Sequence, residues 1–332
     1  MMPDLTTTYM GLKLANPFIA GSSTLSATTA KVKALEEAGA GAVVFGSIFE
    51  EQIRAEVSDM VSALEGQDNP EAYDYIRADY PMQVGPEKYL DAIREAKAAV
   101  KIPVIASLNC TTKDHWIAYA RKIERAGADA LELNVYDIPQ NPAETSAAVE
   151  ERHLKLVAGV SAELTIPVAV KLGPNYTSLA NFISRLTALD VQAVVLFNRF
   201  FQPTINIEAL TLKSGLNLSR PQDSGFPVRW IALLRRHVPC DIAMTTGVHS
   251  AEEAIKGLLA GANVVQVCSA LYSPAGVSVL GKMQADMAAW MDRHGFSRIA
   301  DFRGKLADTE AGGGQGFARA QYVKELMRRR DS

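Results

Sequence analysis

The run from Glu132 to Pro139, Glu-Leu-Asn-Val-Tyr-Asp-Ile-Pro, ends an apolar stretch in Asn134, Tyr136 and Asp137 and then turns at proline. At the carboxyl end of a strand in a parallel barrel, such side chains are where chemistry sits. Asp137 sets a carboxylate beside that turn. An ordinary aspartate, with a pKa near ~3.9, is a weak base unless burial raises it. The alternative for Asp137 is that it fixes the turn before Pro139 or pairs with Arg199. Lys171 closes the next apolar stretch, Pro167 to Leu172, and Gly173-Pro174 turns after it. A charged group at that point must meet an anion or polar ligand, or be neutralised by a neighbouring carboxylate. Asn109 and Asn198 follow two further apolar stretches, as Asn134 follows the first. Neutral amides suit a planar polar ring, although each alone also suits a local turn. Thr246-Gly247 and Cys268-Ser269 bring small residues to two more strand ends. Such residues let backbone amides approach an anion, and ordinary turn chemistry is the alternative.

The elements that must position these residues are legible as a repeat. A helical pattern closes on Ala-Gly-Ala or a similar turn and runs at once into an apolar strand. This happens around Gly39, Gly127 and Gly261, and once around Asp190 in place of glycine. Residues just past a helix that adopt the left-handed conformation explain the choice. Pro103, Pro167 and Pro239 open three further strands. With Phe18 to Gly21, these give strands near 18, 42, 102, 129, 167, 193, 241 and 263. Continuous rather than alternating apolar character means burial on both faces, as in parallel strands covered by helices. The expected fold is a single α/β domain over 1–332, a (β/α)8 TIM barrel, with excursions at 47–86 and 198–227 after strands 2 and 6 and a helical extension at about 307–332. A doubly wound sheet would carry a glycine fingerprint after its first strand, and Gly21-Ser-Ser-Thr-Leu is not one. Ser250 with Glu253 reads as a capping box, and Ser273-Pro274 as a helix start. Gly312 to Gly316 has the composition of a phosphate loop without its strand or its Lys-Ser/Thr, and reads as a connector.

Composition excludes several classes. The 332 residues are 48% hydrophobic and 21% charged, with a formal net charge of −3, so no field gathers nucleic acid. Three cysteines without a CxxC pair argue against a disulfide framework, and the five histidines show no ligand spacing, so no metal is expected. The N-terminus lacks a signal-peptide pattern, and no stretch approaches the ~20 apolar residues of a membrane span. The expected location is the cytoplasm, with no membrane partner.

In this order, Asn16-Pro-Phe-Ile-Ala-Gly-Ser22, Glu132-Leu-Asn-Val, Val170-Lys-Leu, the Ala254 to Leu271 segment and Ser297 to Leu306 resemble the dihydroorotate dehydrogenase family of FMN barrel flavoproteins. The resemblance implies an FMN-dependent oxidoreductase acting on a CH–CH group of a small molecule, with hydride passing to flavin N5 and a loop base after strand 4. It places Gly21, Ser22, Ser47, Asn109, Asn134 and Lys171 along the flavin. It places Ser224, Gly225, Thr246, Gly247, Cys268 and Ser269 at the phosphate. Asn134 and Asn198 would reach the substrate. The base position, a cysteine or serine in the family, is Asp137 here. The lysine that meets orotate's carboxylate aligns with Gly46, and Arg77 or Arg199 is placed to supply a cation instead. The resemblance also implies the cytosolic branch and a homodimer, and leaves the electron acceptor unassigned. Two other readings of these residues are a flavin-binding electron-transfer subunit and a barrel aldolase using Lys171 as a Schiff-base amine.

Overall fold

A computed structural model describes residues 3–49, 86–110, 116–135, 137–199, 204–213 and 218–307, with positions 323 and 327. The strands are β1 (Thr7–Tyr9), β2 (Leu12–Leu14), β3 (Phe18–Ala20), β4 (Ala42–Val44), β5 (Ile48–Phe49), β6 (Val104–Cys110), β7 (Ala130–Val135), β8 (Val168–Leu172), β9 (Ala193–Leu196), β10 (Thr204–Asn206), β11 (Thr211–Lys213), β12 (Asp241–Met244) and β13 (Val264–Val267). The helices are α1 (Thr29–Glu37), α2 (Pro86–Ala99), α3 (Trp116–Arg125), α4 (Ser146–Ser161), α5 (Leu179–Thr187), α6 (Gly225–Leu234), α7 (Ala251–Ala260) and α8 (Val279–Arg293).

Parallel pairing runs β4, β3, β13, β12, β9, β8, β7, β6, β5, and a β4–β6 pairing closes the ring. The expected strands are all present, and the fold is the (β/α)8 barrel. β4 and β5 are one barrel strand broken at Phe45–Ser47: β4 pairs with the start of β6 and β5 with its end. Gly39, Gly127 and Gly261 take φ of +96°, +92° and +118°, and Asp190 takes +57°, so each helix-to-strand turn has the left-handed residue its sequence called for. The Ser250–Glu253 capping box forms at the start of α7. Pro274 starts no long helix; after a turn and a short 3-10 segment, α8 begins at Val279.

Alternate residues of a strand share a face, and here one face looks into the barrel. Ile19, Ala42, Val44, Ile105, Ala130, Ala169, Val195, Ala243 and Val264 fill its lower interior together with Tyr9, Met10 and Leu14. Those last three come from the β1–β2 hairpin, whose Met10-Gly11 turn has positive φ at both residues and whose Met10 amide donates to the Asp241 carboxylate. The hairpin therefore plugs the N-terminal mouth. The other strand face packs on the helices, with Trp116, Phe182 and Leu186 fully buried. Residues 50–85, Tyr136, Arg77, Gly312 to Gly316 and most of the expected extension at 307–332 lie outside the described residues. The second excursion shows a hairpin, β10–β11, that exposes Ile205, Ile207 and Leu210.

Candidate active site

Strand register brings the sequence-derived residues together. Asn109 on β6 pairs with Asn134 on β7, and Asn134 pairs with Lys171 on β8, so the three share one level at the C-terminal end of the barrel. Asn198, just past β9, donates its side-chain amide to Asn134 Oδ1 at 2.8 Å. On the opposite arc, Gly21, Ser22, Ser47 and Cys268 follow β3, β4 and β13. Ser22 and Ser47 are joined through their hydroxyls at 2.9 Å, and Ser47 continues to Ser107 at 2.7 Å. Cys268 Sγ donates to the Ser22 carbonyl at 3.8 Å. Burial pushes the Cys268 thiol pKa up, while the Lys171 ammonium partly opposes it.

Lys171 is largely buried and lies 3.4 Å from Glu132 Oε1, one inward-facing position deeper on β7. Glu132 is 1% exposed and accepts a hydrogen bond from Gln266 of β13, across the barrel. The alternative of a neutralising carboxylate beside Lys171 is thus realised, at the barrel mouth and not in place of it. Glu132, Gln266 and Ser107 carried no assigned role in the sequence reading. The usable signal was period two: each sits two residues before a residue already picked, Asn134, Cys268 or Asn109.

The loops after β12 and β13 form a second polar cluster. Thr246 and Gly247 both have positive φ, +78° and +79°. A methyl group on Gly247 would lie 2.3 Å from Ser224 N, so only glycine lets this loop meet the start of α6 at Ser224-Gly225. Ser219 joins the parts: its hydroxyl donates to Ser269 Oγ at 2.9 Å and accepts from the Gly247 amide at 3.2 Å. Ser269 Oγ also accepts from the Ser219 amide, and Thr246 Oγ1 donates to the Phe197 carbonyl. Ser219 was missed because nothing in its local sequence distinguishes it from a loop serine.

Asp137 and Arg199 meet partners outside this ring. The Asp137 carboxylate faces α4, meeting Arg152 at 2.5 Å and His153 Nε2 at 3.2 Å. Arg152 also pairs with Glu144, and His153 Nδ1 lies 3.3 Å from the Tyr176 hydroxyl. Burial raises the Asp137 pKa, but the hydrogen bonds and charges of Arg152 and His153 lower it by more, leaving it below the usual aspartate value. Burial pushes His153 down despite the carboxylate beside it, and pushes the Tyr176 hydroxyl up. The expected Arg199 partner is different too: Arg199 reaches Asp223 at 3.9 Å, not Asp137.

A closed parallel barrel whose C-terminal mouth carries one lysine-centred polar ring and one small-residue cluster has the architecture of a (β/α)8 enzyme with its site at that mouth. The sequence pattern of the dihydroorotate dehydrogenase family matches residues 4–291, and the chain belongs to that family. It is 27% identical to the catalytic subunit of dihydroorotate dehydrogenase B (NAD(+)) of Thermoplasma volcanium, over 91% of this chain and 98% of that protein. It is 31% identical to the same-named subunit of Methanosarcina mazei, over 90% and 93%. To the chloroplastic dihydropyrimidine dehydrogenase (NADP(+)) of Arabidopsis thaliana it is 23% identical, over 91% of this chain and 76% of that protein.

Proposed function

We propose that the chain binds FMN at the barrel mouth and oxidises or reduces a CH–CH unit of a small cyclic amide. The observation that carries this reading is the common level of Asn109, Asn134 and Lys171, a hydrogen-bonding edge for a planar ring, with the small-residue loop Thr246-Gly247 packed on the start of α6 as the place for a phosphate. Gly21, Ser22, Ser47, Asn109, Asn134 and Lys171 would hold the ring, and Ser224, Gly225, Thr246, Gly247, Cys268 and Ser269 the phosphate. When bound, FMN supplies the hydride acceptor or donor. Lys171 holds positive charge at the ring edge, where negative charge develops. Asn134 and Asn198, already hydrogen-bonded to each other, orient the substrate.

Asp137 is the proposed loop base after β7, but its contacts favour a second role, anchoring that loop to α4. A carboxylate held ionised by Arg152 and His153 accepts a proton weakly. Substrate charge follows from Gly46. A methyl there would lie 2.9 Å from Ala27 Cβ and 3.2 Å from the Ser23 carbonyl, so no cationic side chain fits beneath a substrate carboxylate. Without a cation at position 46 a carboxylated substrate loses about 1–3 kcal/mol of interaction there, and on that ground a neutral dihydropyrimidine is the proposed substrate over dihydroorotate. The proposed setting is a cytoplasmic homodimer, in keeping with the free thiols of Cys240 and Cys268.

The test is anaerobic mixing of FMN-loaded protein with dihydrouracil and with dihydroorotate. Faster bleaching of the flavin by dihydrouracil is expected. Faster bleaching by dihydroorotate overturns the substrate assignment, and no bleaching by any candidate favours an electron-transfer subunit.

A further inference from the structure

Glu132 is a carboxylate in the interior of the barrel, 1% exposed. An ion so placed is costly unless paired and hydrogen-bonded. Its Oε2 accepts from Gln266 Nε2, but Oε1 has no hydrogen bond. The Gln266 Oε1 and Tyr9 hydroxyl are likewise unsatisfied, so the interior beneath the mouth is polar and incompletely paired. Among the described residues, the cation facing Glu132 is Lys171, whose Nζ lies 3.4 Å from that same Oε1. Register fixes the relation. Glu132 pairs with Ala169 and Asn134 with Lys171, so the ammonium sits one pleat above the carboxylate. A lysine has a flexible four-carbon stem and no fixed direction of its own. A carboxylate beneath it, clamped from the facing strand, supplies one.

We propose that Glu132, held by Gln266, is the positioning residue that seats the Lys171 ammonium at the barrel mouth. The proposal rests on the reading that Lys171 serves a bound flavin, but the seating itself is a property of the unloaded chain. Among the described residues, Asn134 is level with Lys171 in the strand register and Cys268, just past β13, feels its charge, and neither is a carboxylate. In Lys171→Met the Glu132 carboxylate loses its counter-ion inside the barrel. In Glu132→Gln the negative charge beneath the ammonium is removed, and the field at the mouth becomes more positive.

The experiment has two arms. Thermal midpoints of the FMN-free protein are measured for wild type, Glu132→Gln, Lys171→Met and the double variant. Lys171→Met is expected to lower the midpoint, and adding Glu132→Gln is expected to restore most of the loss. In the FMN-loaded protein, Glu132→Gln is expected to shift the flavin midpoint potential positive, which a purely structural role for Glu132 would not do. If Glu132→Gln alone fails to fold, Glu132→Gln with Gln266→Glu keeps the interstrand hydrogen bond, moves the charge to the facing strand, and predicts the same direction of shift. Losses that simply add in the FMN-free cycle, or an unchanged potential, overturn the proposal. A wild-type chain that takes up no FMN overturns the flavin reading instead, and the FMN-free cycle still decides whether Glu132 seats Lys171.

Discussion

Burial raises the Asp137 pKa, and hydrogen bonds and charges from Arg152 and His153 lower it by more. The balance decides what this residue can do. A catalytic base must hold a proton in the transition state, and loss of such a group typically costs ~10²–10⁴-fold in rate. An anchoring Asp137 predicts instead that Asp137→Asn slows anaerobic flavin reduction by less than about tenfold and leaves its pH profile unmoved. A loss in the larger range would restore the base. His153 makes a separate prediction about stability. Its folded pKa lies below the ordinary 6.5, so on acidification the unfolded chain takes up a proton before the folded one does. Its contribution is therefore present above 6.5 and is lost as pH falls from there through the folded pKa. The thermal midpoint should drop across that window, and His153→Gln should flatten the drop. Asp137, with its folded pKa below 3.8, keeps its contribution through this window and loses it only in stronger acid. The sequence offered Asp137 as base or turn residue because its spacing from Asn134 is visible there. Arg152 and His153 were not visible as its partners, because they sit on the following helix and meet it only through packing.

At the scale of elements, strand ends were the legible part. Lys171, Asn109 and Asn134 were picked as last polar residues of apolar stretches, and parallel register then placed them level. Gly39, Gly127, Gly261 and Asp190 were legible for the same local reason, the left-handed turn between helix and strand. The β1–β2 hairpin was not, because three-residue strands beside a Met-Gly turn give little periodicity to read. Gly247 shows how tightly two elements can constrain one position. Gly247→Ala forces a methyl against the Ser224 backbone at positive φ, and should cost roughly 1–3 kcal/mol and weaken FMN binding at least about tenfold. Gly225→Ala is the control, since a methyl there meets nothing within 4 Å, and its melting curve should stay close to wild type.

Across the whole molecule, the barrel is closed below by its own N-terminus and polar above. Tyr9, Met10 and Leu14 seal one mouth with apolar contacts, while the interior shifts to Glu132, Gln266 and Lys171 toward the other. Among the described residues, the polar groups so gather at the C-terminal end, where barrel active sites sit. The family and barrel were legible from repeat and motif order. Gly46 was legible as the place of a missing cation, but the reason no larger side chain fits there, the Ala27 methyl and the Ser23 carbonyl, is revealed only by packing. The central claim is that the polar mouth is an FMN site organised around Lys171. Its most direct test is the visible absorption spectrum of the purified chain after incubation with FMN and removal of the excess. Flavin bands corresponding to about one FMN per chain are expected, and their loss in Gly247→Ala. A colourless protein that retains no FMN, and in which borohydride traps a carbonyl compound on Lys171, would contradict it.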